Sequence, residues 1–92
     1  MKNNTDYTDY TDERFKVGKY HYHLFDSDVD CTEFNLYKNH QPLVVIYRMT
    51  STLSGKEQAV FESSEPLSRF KEPADRKAIT LSVKFLEEKY QS

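Results

Sequence analysis

Pro42-Leu43-Val44-Val45-Ile46-Tyr47-Arg48-Met49-Thr50 is the longest apolar run in an otherwise polar chain of 92 residues. Leu43 to Tyr47 are apolar without a break, and β-branched types dominate among them. A short run of this kind, bounded by turn residues, reads as a strand buried on both faces. Asn39-His40-Gln41-Pro42 supplies a turn before it, and Leu53-Ser54-Gly55-Lys56 a turn after it. The remaining elements can be placed around this strand.

Working outward, Glu33 to Tyr37 pairs with Leu43 to Thr50 as a hairpin. Arg14 to Phe25 is one strand by alternation, with Gly18 at a change of phase that suggests a bulge. Its apolar side carries Phe15, Val17, Tyr20, Tyr22 and Leu24, and its polar side His21 and His23. Glu57 to Glu62 is a fourth strand. Ser64 is placed to cap a short helical turn through Phe70.

Residues 73–90 fit two periods. Ile79, Val83, Leu86 and Tyr90 recur at helical spacing, whereas Ile79, Leu81, Val83 and Phe85 alternate as in a strand. Pro73 at a first helical position, Ala74 and the Leu-Glu-Glu-Lys ending favour helix. The expected fold is α+β: an antiparallel meander of about four strands packed on a C-terminal helix. Val17, Tyr22, Leu36, Val45, Tyr47, Phe61, Ile79, Val83 and Leu86 form the expected core.

Length implies one domain with little stability to spare. Residues 1–13, with the triplets Thr-Asp-Tyr, Thr-Asp-Tyr and Thr-Asp-Glu, read as an acidic arm that Tyr7 and Tyr10 would anchor; residues 14–92 read as the domain. The lone Cys31 admits no internal disulfide, and no apolar stretch nears the ~20 residues needed to span a bilayer. The expectation is a cytoplasmic protein without membrane contact. A small core and seven tyrosines suggest a homodimer.

No constellation for catalysis stands out. There is no glycine-rich phosphate loop, no serine elbow and no zinc spacing. His21 and His23 share one strand face and read as solvent-facing, and Cys31 reads as a packing residue. No enzyme activity, cofactor or metal is expected. Basic residues are diluted by acids, so direct nucleic-acid binding is not expected.

Charge is uneven. Residues 1–35 carry eight acids and four bases, residues 36–92 seven acids and nine bases, for a total of −2. Asp26, Asp28 and Asp30 alternate, and Asp6, Asp9 and Asp12 recur every third residue. Regular carboxylate rows can stand in for backbone phosphates. With Glu33, these are the candidate partner-binding residues.

In size, composition and these aspartates the chain resembles the small proteins that phages make to disarm host defence, in particular the T4-type anti-restriction DNA mimics. The resemblance implies a homodimeric inhibitor that occupies the DNA-binding site of a host nuclease or other DNA-binding protein. Such mimicry would need the acids on one face and the bases of residues 36–92 elsewhere. The alternative is a small adaptor that binds a protein partner through a sheet edge or tyrosine-rich surface.

Overall fold

A computed structural model describes residues 10–27, 32–53 and 55–90, without the side chain of Leu53. Five strands run β1 (Asp12–Val17), β2 (Tyr20–Asp26), β3 (Glu33–Lys38), β4 (Gln41–Leu53) and β5 (Lys56–Ser63), followed by a 3-10 turn (Leu67–Arg69) and α1 (Pro73–Lys89). The sheet is an antiparallel meander in chain order, with α1 on one face. The α+β meander is therefore as expected, with five strands where about four were anticipated.

The extra strand comes from Gly18. Instead of a bulge within one long strand, Gly18 and Lys19 form a two-residue turn between β1 and β2, with Val17 opposite Tyr20. Gly18 has φ +61° while Lys19 does not share that region, the pattern of a type II′ hairpin turn. The β3–β4 turn is tighter in its demands. Asn39 (φ 49°) and His40 (φ 69°) are both left-handed, as a type I′ turn requires. Asn39 supports it by accepting the His21 N–H on its Oδ1 at 3.0 Å.

β4 differs from the expectation in its faces. It is buried on one side only: Val44 and Ile46 point into the core, whereas Val45 is half-buried and Tyr47 is 42 % exposed. The register explains this. Leu36 faces Val44 and Tyr37 faces Pro42, so Leu43 is an extra residue in a bulge. Proline has no N–H to give a ladder and is tolerated at such irregularities. Val45 and Tyr47 thus leave the expected core, Val44 and Ile46 enter it, and Val17 and Val83 are only partly buried.

The core joins Tyr22, Leu24, Phe34, Leu36, Val44, Ile46 and Phe61 to Ala78, Ile79 and Leu86 of α1. Within α1 the buried positions are Asp75, Ala78, Ile79, Ser82 and Leu86, a spacing of three and four. Leu81 is 42 % exposed, which decides against the strand reading of this segment. Ser82 is buried because its hydroxyl donates to the Ala78 carbonyl one turn back, at 2.8 Å. Ser64 does not cap a helix; Pro66 precedes the 3-10 turn without a side-chain cap.

Candidate functional site

Of the expected partner-binding carboxylates, Asp12, Asp26 and Glu33 lie among the described residues, and they have different surroundings. Asp6, Asp9, Asp28 and Asp30 lie outside the described residues, as do Tyr7 and Cys31. Asp26 is 7 % exposed and points toward the helix side, where its Oδ2 accepts the Thr11 N–H at 2.7 Å. A partner-binding role for Asp26 is therefore corrected to a structural one. Asp12 lies in β1, inside the domain rather than in an arm, and its Oδ1 is 2.6 Å from Nε2 of His23. Glu33 is exposed at the start of β3.

Tyr10 is 56 % exposed, so its ring is not the expected anchor. The backbone is anchored instead. Lys89 Nζ donates to the Tyr10 carbonyl at 2.5 Å and to Thr11 Oγ1 at 2.9 Å. Thr11 is 1 % exposed, beside the Tyr90 hydroxyl.

A buried polar group that sequence reasoning missed lies where α1 begins. Asp75 Oδ1 accepts the Tyr22 hydroxyl at 2.7 Å and pairs with Lys38 Nζ at 2.9 Å. Tyr20 donates to Glu72 Oε2 at 2.5 Å, and Lys38 sits 4.0 Å from the centre of the Tyr20 ring. Burial, then the hydrogen bond to Asp75, pushes the Tyr22 phenol well above its ordinary range. The hydrogen bond to Glu72 raises Tyr20. Both tyrosines are thus held protonated, as donors. The group ties α1 to β2 and β3 of the sheet.

The face of the sheet away from α1 is the candidate functional surface. Among the described residues, no element packs on it. On β4 it presents Val45, Tyr47 and Met49, with Tyr47 and Met49 each 42 % exposed. Phe25 of β2 and Tyr37 of β3 continue it, their rings 5.1 Å apart and edge to face. His23 tilts against Phe25 at 4.6 Å. His21 and His23 lie on this face as expected, His23 half-buried rather than free in solvent. Among the described residues, no three of His, Cys, Asp or Glu are grouped to hold a metal ion.

Asn35 and Glu33 are the polar positions of β3 here, so the apolar area is continuous along β4 and interrupted toward the sheet end. The signal in the sequence was the alternation of β4 itself, which the unbroken run Leu43 to Tyr47 conceals.

Compared with known protein families, with curated proteins and with solved structures, the chain matches none. Among the described residues, no helix is long and apolar enough to cross a membrane.

Proposed function

We propose that this chain is a non-catalytic binding protein that docks a protein partner on the open face of its sheet. The observation that supports this reading is the uncovered row Val45, Tyr47 and Met49 along β4. Exposed aromatic and methionine side chains in a continuous patch are what interface centres use. A second copy of the chain is one such partner, which makes the homodimer part of the same proposal. The test is a photo-crosslinking residue at position 47, with and without Met49→Lys. Crosslinking to one partner that Met49→Lys abolishes, with an unchanged melting curve, is expected. Equal crosslinking in both proteins counts against the open face.

DNA mimicry is the second reading, and one observation favours it. Thr11 and Asp26 are joined, so residues 1–9 and 28–31 attach at the same end of the sheet. These segments hold Asp6, Asp9, Asp28 and Asp30, while the described residues carry eleven acids and twelve bases. Asp12 and Glu33 lie at that same end of the sheet. A partner would be a nuclease or other DNA-binding protein. Binding that weakens steeply with salt and is displaced by duplex DNA supports mimicry; salt-insensitive binding supports the apolar face.

A further inference from the structure

The half of the open face formed by β1 and β2 differs in chemistry from the β4 half. It contains a cleft of about 430 Å³ lined by Arg14, Lys16, His21, His23, Tyr37 and His40, with no carboxylate among its lining residues. The hollow between β5 and the end of α1 differs: there Arg48 and Lys56 are balanced by Glu57 and Glu87.

The register brings two basic and two imidazole side chains together on one face. Arg14 stands directly opposite His23, and Lys16 directly opposite His21. Among the described residues, Arg14 and Lys16 have no ion-pair partner within 4.0 Å. Asp12, one step along the same face of β1, is taken up by His23. His40 adds a third imidazole from the β3–β4 turn, held at φ 69° where glycine is at ease.

We propose that this cleft binds a small phosphate-bearing ligand of mononucleotide size. Arg14, Lys16 and His21 would receive the phosphate, since Arg and Lys are the residues whose charge-assisted bonds suit it. His40 closes the site from the turn. Tyr37, half-buried beside His23, offers a ring face for the base, as aromatic platforms do for nucleobases. The volume lies within the ~300–1,000 Å³ range of small-ligand pockets. This site does not depend on the protein-docking reading, which concerns β4.

The test is a titration followed by amide NMR, using adenosine 5′-monophosphate, adenosine and inorganic phosphate as separate probes. The monophosphate is expected to shift the amides of residues 14–16, 21–23 and 40 saturably. Adenosine should bind about tenfold more weakly or not at all, since it lacks the charge-assisted contacts. Phosphate alone should act at the same residues more weakly than the nucleotide. Arg14→Gln with Lys16→Gln should lose binding. His40→Gly is the variant that keeps the fold, because it relieves the turn; it should melt no lower than the parent and bind more weakly. The proposal is overturned if millimolar monophosphate leaves these amides unmoved, or if adenosine binds equally well. Binding unchanged by the double substitution, or phosphate binding as tightly as the nucleotide, also overturns it.

Discussion

Asp75 is a carboxylate 7 % exposed in the first turn of α1, where the helix dipole favours negative charge. The Tyr22 hydroxyl and Lys38 complete its shell. Tyr22→Phe removes one donor and leaves the carboxylate under-satisfied, so a loss of about 1–3 kcal/mol in urea melts is expected. The same residue carries a pH prediction. Folding raises the Tyr22 phenol above the ordinary value of 10.0, so the folded state keeps a proton that the unfolded state gives up. That contribution is fully present below pH 10.0 and is lost as pH rises toward the folded value. Melting temperature should therefore fall on alkalinisation above pH 10.0, and Tyr22→Phe should flatten the fall. At the β3–β4 turn, His40→Gly should raise stability by about 1 kcal/mol, since a left-handed residue with a Cβ costs about 1–2 kcal/mol. Thermal melts decide the sign.

At the scale of elements, β3, β5 and Tyr90 just after α1 meet over a ring cluster. Phe61 lies 5.9 Å from Phe34 and 5.8 Å from Tyr90, and Phe61 is 3 % exposed. Phe61→Ala would open a cavity between sheet and helix and should cost about 3–5 kcal/mol; a loss under ~1 kcal/mol in denaturant melts would contradict this packing. The end of α1 also holds the start of β1. Lys89→Ala frees the Tyr10 carbonyl and Thr11 Oγ1, so hydrogen exchange at the Thr11 amide should quicken while the middle of the sheet stays protected.

For the whole molecule, the extents are 39 × 36 × 18 Å, the short axis being that of a single sheet with one helix layer. A two-layer body of this kind covers one sheet face and leaves the other to solvent or a partner. If a second copy is that partner, sedimentation at tens of micromolar will give a dimer, and Tyr47→Lys with Met49→Lys will give a folded monomer. A parent protein that sediments as a monomer reserves the face for a different partner.

From the sequence, Pro73, Ala74 and the Leu-Glu-Glu-Lys ending favoured a helix at residues 73–89, because they are local features, but the alternation of Ile79, Leu81, Val83 and Phe85 kept a strand open until the structure showed Leu81 exposed. The sequence alone was enough for a meander, because turn residues separate short alternating runs. It did not decide which side of β4 faces inward. A bulge at Leu43 shifts the phase by one residue, and only pairing with β3 reveals it. It did not decide that Gly18 turns the chain back, since a bulge and a two-residue hairpin both call for a glycine there. The acidic row at 26–30 looked uniform, yet Asp26 points inward because Thr11, fifteen residues earlier, presents an N–H to it. The cleft was hidden for the same reason. Arg14, Lys16, His21 and His40 come together only through the register of β1 with β2 and the turn after β3.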